Sequence, residues 1–159
     1  MARRVAYEVD GWGTGELWLD GERVVWHELP QPRAAADAAP RDGFAAAVVA
    51  AIGRYFDGDA AALDAVPVDL EYETEFHGRC ARALRAVPPG QVVSYGELAA
   101  LAGAPGAARA AGSFCARNRL GLFVPCHRVV GAAGLGSYGS LGLEYKRRLL
   151  ALEGYGDAR

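Results

Sequence analysis

The sequence predicts an α+β fold, in which a small antiparallel sheet with one helix precedes a largely helical region. Strand-like segments joined by a hairpin turn fill the first part of the chain. Helical patterns dominate from residue 76 onward, and there a helix, a short glycine-bearing turn and a second helix follow one another. We therefore expect two domains, one over residues 1–72 and one over residues 73–159.

Three strands are predicted in the N-terminal region, over residues 5–9, 15–19 and 23–29. Their apolar, aromatic and β-branched residues are typical of strands, and Asp20-Gly21 marks a hairpin turn between the second and the third. A Pro- and Ala-rich loop over residues 30–40 leads to a helix near residues 44–56, which Asp57-Gly58-Asp59 ends. Residues 66–70 predict a further short strand.

Four helices are predicted in the C-terminal region, over residues 76–87, 95–101, 107–117 and 143–153. Pro88-Pro89-Gly90 ends the first of them, because these residues cannot continue a helix. Ser94 is a natural N-cap for the second, and Glu97 stands where a capping box needs it. Gly103-Ala104-Pro105-Gly106 forms a sharp turn before the third. This order predicts a helix-turn-helix, a pattern that also occurs in folds that never bind DNA.

Composition narrows the class of protein. The chain has 159 residues, of which 52% are apolar, enough to bury a substantial core. No apolar stretch approaches the length that spans a bilayer, and Met1-Ala2-Arg3-Arg4 leads into a strand, so we expect a cytoplasmic protein with no membrane partner. Cys80, Cys115 and Cys126 lack paired spacing, which argues against a disulfide framework and fits a reducing compartment.

Charge is divided unevenly along the chain, although the net charge is only −2. Residues 1–75 contain six arginines and fifteen acidic residues, a net charge of −9; residues 76–159 contain ten arginines, one lysine and four acidic residues, a net charge of +7. This asymmetry predicts that the basic half faces phosphates. The alternative is that the two halves neutralise each other.

A single reactive thiol is the second functional signal. Cys126 lies in Val124-Pro125-Cys126-His127-Arg128-Val129-Val130, between apolar residues and next to a histidine. A thiol acts as a nucleophile in its thiolate form, so a reactive cysteine needs a nearby base or a positive field, which His127 and Arg128 can supply. The alternative is a buried strand cysteine followed by a histidine by chance.

The third predicted helix is built from unusually small residues. Residues 107–113 are Ala, Gly and Ser apart from Arg109, the one long side chain. A helix with such small side chains is able to approach the minor groove of DNA closely. This groove is about 6 Å wide and excludes a helix with ordinary side chains. The whole chain is rich in alanine, however, so its composition alone is a second explanation.

Together these motifs resemble the O6-alkylguanine-DNA alkyltransferases, also called methylated-DNA-protein-cysteine methyltransferases. The resemblance covers residues 76–154, and five motifs recur in the family's order and spacing. They are Val92-Val93-Ser94-Tyr95-Gly96-Glu97-Leu98-Ala99, Ala107-Ala108-Arg109-Ala110-Ala111-Gly112, Asn118, Pro125-Cys126-His127-Arg128-Val129-Val130, and the run from Lys146 to Glu153-Gly154. The resemblance implies a ribonuclease H-like support domain over residues 1–72 and a DNA-binding alkyltransferase domain over residues 73–159.

The resemblance implies that Cys126 accepts the alkyl group from guanine O6 and keeps it as a thioether, so that each molecule acts once. His127 is then the base, acting through a water, and Glu153 holds its imidazole in the useful tautomer. Asn118 is implied to be a hinge between the recognition helix and the strand that carries the cysteine. Tyr95 donates its proton to the departing guanine. Alternative roles are a surface acid for Glu153, a core histidine for His127, a helix C-cap for Asn118 and a half-buried tyrosine for Tyr95.

A DNA-binding surface and an alkyl pocket are also implied by the resemblance. Arg109 is the finger that replaces the extruded guanine in the base stack, the alternative being a simple phosphate contact. The DNA-binding residues are Ser94, Tyr95, Arg109, Ala110 and Gly112. The pocket residues are Val124, Pro125, Tyr138, Gly139 and Ser140.

Several residues depart from the family pattern. Arg119 follows Asn118 where proline is common, Ala81 stands where tryptophan is usual, and the pocket loop is one residue shorter before Tyr138. Some family members bind zinc through N-terminal Cys and His residues, but this N-terminal half has no cysteine and only His27. We therefore predict no metal, and no cofactor.

The resemblance predicts a direct DNA repair protein that flips O6-alkylguanine from double-stranded DNA through the minor groove and works as a monomer. O4-alkylthymine is an alternative lesion. A lesion-binding module like the alkyltransferase-like proteins is the main alternative function, but those proteins lack the acceptor cysteine. A cysteine hydrolase would need an oxyanion hole that the sequence does not reveal. A zinc site of Cys80, Cys115, Cys126 and His127 lacks ligand spacing.

Overall fold

The structure is a computed structural model that describes residues 2–33 and 42–156, and it confirms the α+β class. The predicted loop over residues 30–40 lies outside the described residues from residue 34 onward. Two compact units are present, one within Met1–Asp69 together with Arg119–Phe123 and one within Leu70–Asn118 together with Val124–Arg159. Within the described part of the chain, no helix is long and apolar enough to cross a membrane.

The first unit contains a three-stranded antiparallel sheet in the order β1-β2-β3. Its strands are β1 (Arg3–Val9), β2 (Gly13–Leu19) and β3 (Val24–Gln31). From Gly15 onward, strand β2 alternates between buried and part-exposed residues, with Leu17 and Leu19 fully buried. The predicted hairpin turn is confirmed, because β2 pairs with β3 and the amide of Asp20 bonds the carbonyl of Arg23. Gly21 has a φ of 61°, which glycine adopts at no steric cost.

Among the described residues of the first unit, helix α1 (Gly43–Phe56) lies beside this sheet and confirms the predicted helix near residues 44–56. It begins at Asp42, whose side chain accepts a hydrogen bond from the amide of Ala45, and it ends at Asp57. Its buried face includes Val48 and Ile52.

The strand predicted over residues 66–70 is wrong. Only a single parallel bridge joins Val68 to Val24 of β3. Pro67 has no amide hydrogen to donate, and further along β3 the next bridge pairs His27 with Leu120 instead. Residues 66–70 therefore cannot extend along the edge of β3.

Up to residue 156, the second unit contains four α-helices, as predicted. They are α2 (Glu75–Arg85), α3 (Tyr95–Leu101), α4 (Ala108–Ala116) and α5 (Leu143–Leu152). Helices α3 and α4 pack together across a turn in which Gly103 and Gly106 have φ values of 84° and 90°. The capping box at the start of α3 is confirmed, since Ser94 Oγ accepts from the Glu97 amide and the Glu97 carboxylate accepts from the Ser94 amide.

Two short strands in the second unit were not predicted. Strands β4 (Val93–Ser94) and β5 (Val129–Val130) pair in parallel and have two residues each. A strand of two residues is too short to show a period of two in the sequence. Strand β4 leads directly into α3, and β5 forms the end of the cysteine motif.

The segment Arg119–Phe123 belongs to the first unit although it lies far along the chain. The amide of His27 donates to the carbonyl of Arg119 at 2.8 Å, and His27 bridges Leu120 in parallel. The predicted domains, 1–72 and 73–159, have a single boundary. The compact units have their first boundary between Asp69 and Leu70, and the first unit also includes Arg119–Phe123. The ribonuclease H-like character of the first domain stays a prediction.

Candidate active site

Cys126 opens a short 3₁₀ turn, Cys126–Arg128, that runs directly into β5. The expectation that a strand carries the cysteine is therefore wrong. Pro125, which precedes it, has no amide hydrogen for a strand ladder, and its carbonyl instead accepts from the Arg128 amide at 2.9 Å. This turn places Cys126 and His127 on consecutive residues of one tight element.

Asn118 contacts the sulfur of Cys126. It lies two residues beyond the end of α4, and its Nδ2 donates to Sγ of Cys126 at 3.2 Å and to the carbonyl of Val124 at 2.8 Å. The C-cap position itself is Arg117. Asn118 thus holds the backbone before the cysteine and donates to its sulfur at the same time.

The two residues that follow the cysteine, His127 and Arg128, form a buried cluster with Glu153 of the distant C-terminal helix end. His127 Nε2 is 2.7 Å from Glu153 Oε2, and Arg128 donates to both carboxylate oxygens of Glu153 at 2.8 and 2.9 Å. Arg128 also donates to the carbonyl of Val87 at 2.7 Å. Glu153 is the C-cap of α5 and its side chain is fully buried, so its alternative role as a surface acid is wrong.

The electrostatics of this cluster decide the protonation state of His127. Burial by itself would raise the pKa of Glu153, but hydrogen bonds from His127 and Arg128 lower it to about 2, so Glu153 is ionised. Burial lowers the pKa of His127, so its ring is neutral near pH 7. An ionised carboxylate only accepts hydrogen bonds, so Nε2 carries the proton and Nδ1 has the free electron pair. No described residue hydrogen-bonds that Nδ1.

The thiol of Cys126 is protonated in this environment. The residue is only 9% exposed, and burial raises the pKa of its thiol. Hydrogen bonds from Asn118 and Tyr138 and the charge of Lys146 act in the opposite direction. A base is therefore needed to form the thiolate, and the sulfur has three groups beside it that stabilise the charge once formed.

Lys146 is a site residue to which the sequence analysis assigned no role. It is fully buried in α5, and its Nζ donates to the carbonyls of Val129, Leu135 and Ser137 at 2.6, 2.5 and 3.1 Å. It therefore ties β5 to the loop before Tyr138. A signal existed in the sequence, because Lys146 is the only lysine in a chain whose other cations are arginines.

The predicted pocket residues fall into two groups. Val124 and Pro125 are buried before the cysteine, and Tyr138 is half-buried with its ring 6.4 Å from that of His127. Gly139 and Ser140 are exposed, in a 3₁₀ turn just before α5.

Tyr95 lies at the same loop as Tyr138. Its hydroxyl hydrogen-bonds Ser137, and a Cβ added at Gly136 would come within 3.1 Å of that oxygen. Burial raises the pKa of Tyr95, which keeps the phenol protonated near pH 7. On its other side the ring of Tyr95 lies near Gly112 of α4, where an added Cβ would be 3.9 Å away.

The predicted DNA-binding residues lie on α3, on α4 and at the N-terminus of α3. Arg109 and Ala110 are exposed in the first turn of α4, and Gly112 is half-buried. Ser94 is half-buried as the N-cap of α3. Within residues 2–33 and 42–156, no group of three His, Cys, Asp or Glu side chains is arranged to hold a metal.

Comparison with known proteins gives a consistent result. Residues 75–155 match the family described as 6-O-methylguanine DNA methyltransferase, DNA binding domain. A methylated-DNA–protein-cysteine methyltransferase of Mycolicibacterium paratuberculosis is 48% identical over 132 residues, 82% of this chain and 71% of the relative. The solved O6-methylguanine methyltransferase of Mycobacterium tuberculosis has a TM-score of 0.79 at 32% identity and covers 100% of this chain and 96% of that chain. The structure of Mycobacterium tuberculosis OGT in complex with DNA has a TM-score of 0.77 at 33% identity and covers 95% of this chain and 92% of that chain.

Proposed function

Since the chain belongs to the methylated-DNA–protein-cysteine methyltransferase family, we propose that it moves the alkyl carbon of O6-alkylguanine in duplex DNA irreversibly onto Sγ of Cys126. Membership makes it a DNA repair enzyme that works by alkyl transfer, with DNA as its partner. The lesion, base flipping, single turnover and the roles of individual residues are the parts proposed here.

One observation carries the proposal: the thiol of Cys126 accepts a hydrogen bond from Asn118 and is next in sequence to His127, whose Nε2 is fixed by Glu153. This is the order nucleophile, base and orienting carboxylate that nucleophilic catalysis requires. The free electron pair on Nδ1 of His127 takes the thiol proton through one bridging water.

The transfer step balances as a displacement at carbon. A sulfur electron pair of Cys126 forms the S–C bond while the C–O6 bond breaks and its electrons move into the guanine. The thiol proton passes to His127, and Tyr95 supplies a proton to the departing guanine. The imidazolium then returns its proton through solvent, which also restores Tyr95. A thioether has no good leaving group, so Cys126 stays alkylated and the molecule reacts once.

Access to the base requires that it leave the duplex, because guanine O6 is inside the stack. Helix α4 supports this step, since its exposed first turn presents the Arg109 guanidinium beside Ala110 and the helix continues to Gly112 with small residues. Such a helix fits the minor groove, and a planar cation inserted into the gap offsets part of the few kcal/mol that unstacking costs.

Mass spectrometry tests the proposal directly. After incubation with duplex DNA carrying O6-methylguanine, we expect the peptide that contains Cys126 to gain the mass of one methylene group, and the yield to stop at one group per protein. Cys126→Ala should abolish this gain and retain DNA binding. Cys80→Ala is the matched control, because Cys80 is a buried cysteine of α2 whose thiol is influenced by burial and Arg79 and not by Cys126, and it should leave the gain unchanged.

An unchanged mass with tight binding to the lesion would instead support the lesion-binding module. A gain of mass on Cys115 or Cys80 would contradict the assignment of Cys126. The predicted cytoplasmic location and monomeric state remain proposals.

A further inference from the structure

We propose that His27 is a positioning residue for alkyl transfer, which holds the backbone of residues 119–123 and thereby fixes where Cys126 lies. The inference rests on the proposed function of Cys126. No step of the transfer described above uses His27, which belongs to β3 in the first unit.

His27 contacts the segment Arg119–Phe123 in three ways. Its amide donates to the carbonyl of Arg119 at 2.8 Å, its Nδ1 lies 2.6 Å from the carbonyl oxygen of Gly121, and its ring meets that of Phe123 edge-on at 5.2 Å. The residue is 4% exposed, so these contacts are shielded from water. One histidine therefore holds nearly the whole length of the segment.

The hydrogen bonds of His27 also select one tautomer. A carbonyl oxygen only accepts, so Nδ1 carries the proton and donates to Gly121. Nε2 is then an acceptor, and the hydroxyl of Tyr7 in β1 donates to it at 2.5 Å. Both ring nitrogens are satisfied by the neutral form, and the sheet fixes the ring from the side opposite the segment.

The backbone that His27 holds is strained at its next residue. Leu122 has a φ of 71°, and among the described residues it is the non-glycine residue with a positive φ. Residues other than glycine rarely adopt this left-handed backbone conformation, and they keep it where the surrounding structure enforces it. Gly121 contributes close packing, since a Cβ there would lie 2.4 Å from Cδ1 of Leu29 in β3. The hydrogen bond from His27 Nδ1 to the carbonyl of Gly121, called the clamp from here on, thus stabilises an unfavourable bend at Leu122.

Both ends of this segment are covalently joined to the proposed active site. Asn118 precedes it and donates to Sγ of Cys126, and Val124, whose carbonyl accepts from Asn118, follows it. The backbone continues from Leu122 through Phe123 into Val124-Pro125-Cys126. A shift in the bend therefore moves the sulfur relative to Asn118, and misplacing a reacting atom by about 1 Å is able to cost as much as 100-fold in rate.

Substitutions at His27 separate this role from simple packing. His27→Asn keeps an amide donor near the position of Nδ1, whereas His27→Leu fills the space and removes the donor. For both variants, the rate constant of alkyl transfer should be measured with O6-methylguanine in duplex DNA and with free O6-benzylguanine. Their affinity for undamaged duplex DNA should be measured as well. The third measurement is the rate at which iodoacetamide modifies Cys126, followed by mass spectrometry of the peptide that contains it.

We expect His27→Leu to slow transfer from both substrates by about tenfold or more and to leave DNA affinity within about twofold. His27→Asn should recover most of the transfer rate. Iodoacetamide modification of Cys126 should also differ between His27→Leu and the wild type, with His27→Asn closer to the wild type. A folded His27→Leu protein that reacts at the wild-type rate would overturn the proposal, as would equal losses in the Asn and Leu variants.

Two further measurements keep the test decisive. If His27→Leu shows no cooperative unfolding, His27→Asn is compared with His27→Gln, because the longer amide of Gln reaches toward Tyr7 instead of Gly121. Faster alkyl transfer by His27→Asn than by His27→Gln supports the clamp. Equal transfer rates refute it. If the wild type transfers no alkyl group at all, the proposed function fails. The order of the iodoacetamide rates still supports or refutes the clamp in that case, because this reaction needs no alkylated DNA.

Discussion

At the scale of single residues, the chemistry of the site depends on which groups carry protons at rest. Burial raises the pKa of the Cys126 thiol and lowers the pKa of His127, so the resting pair is a neutral thiol beside a neutral imidazole. Glu153 is ionised beside them, and Arg128 donates two hydrogen bonds to it. In the proposed mechanism, the sulfur becomes a thiolate when its proton is passed to His127.

This proton relay predicts a specific pH dependence of alkyl transfer. The rate constant should be nearly constant between about pH 7 and 8, and it should fall on acidification as His127 takes up a proton below its ordinary pKa. Single-turnover kinetics over this range measure it. A free thiolate in equilibrium with solvent would give a rise of about tenfold per pH unit instead, and that slope would contradict the relay.

Acid stability provides a second prediction at this scale. Burial lowers the pKa of His27 from 6.5 to about 4, so between these values the unfolded chain binds more protons than the folded one. The neutral form of His27 therefore adds to the free energy of unfolding. This contribution is complete above pH 6.5, is lost as the pH falls to about 4, and is on the order of 3 kcal/mol.

Denaturant unfolding at several pH values checks this prediction. His127 is also buried with a lowered pKa and contributes in a similar window, so the informative quantity is the difference between the wild type and His27→Asn. That difference should shrink as the pH falls from 6.5 toward 4. A difference independent of pH would show that His27 does not titrate as described.

At the scale of elements, helices α3 and α4 present the residues proposed to bind DNA. The capping box at Ser94 starts α3 directly at Tyr95, and the small residues of α4 allow Gly112 to lie close to the Tyr95 ring. Arg109 is exposed at the opposite end of α4 from Asn118, which contacts Cys126. Helix α4 therefore connects the proposed DNA contact to the nucleophile.

Arg109→Ala should slow repair in duplex DNA far more than reaction with free O6-benzylguanine, because only the duplex requires the base to be extruded. The ratio of the two single-turnover rate constants is the measurement. Arg117→Ala is the matched control, since Arg117 is an exposed arginine at the other end of α4 and removes the same charge. Equal losses on both substrates would mean that Arg109 does not act in flipping.

At the scale of the whole molecule, the chain crosses between its two compact units more than once. Leu120, Leu122 and Phe123 are buried in the first unit, although the residues on either side of the segment belong to the second. The acidic first half of the sequence therefore contributes packing for a segment that enters the active-site motif, beyond any effect of its charge.

A fragment of residues 70–159 is consequently expected to fold poorly and to lose alkyl transfer. It would expose the apolar side chains of residues 120–123 and remove the partner of Gly121. Thermal unfolding followed by circular dichroism, together with transfer from free O6-benzylguanine, tests this without requiring DNA binding. A fragment that unfolds cooperatively and reacts at the full rate would contradict it.

Local patterns were sufficient to predict most elements and to propose candidates for the reactive residues. The hairpin at Asp20-Gly21, the capping box at Ser94 and the helices are confirmed, because each depends on neighbours within a few residues. The family motifs also identified Cys126, His127 and Glu153 as candidates, since residue type and order carry that signal. The predicted strand over residues 66–70 failed because the edge of β3 pairs further along with a distant segment.

By itself, therefore, the sequence determined the class of fold and the order of the helices, and it singled out one cysteine as the candidate nucleophile. Only the tertiary structure decided the protonation of Cys126 and His127, the burial of Lys146 and the clamp of His27 on Gly121. The reason is physical: desolvation and long-range hydrogen bonds depend on which distant residues exclude water from a group, and His27 and Gly121 are 94 positions apart.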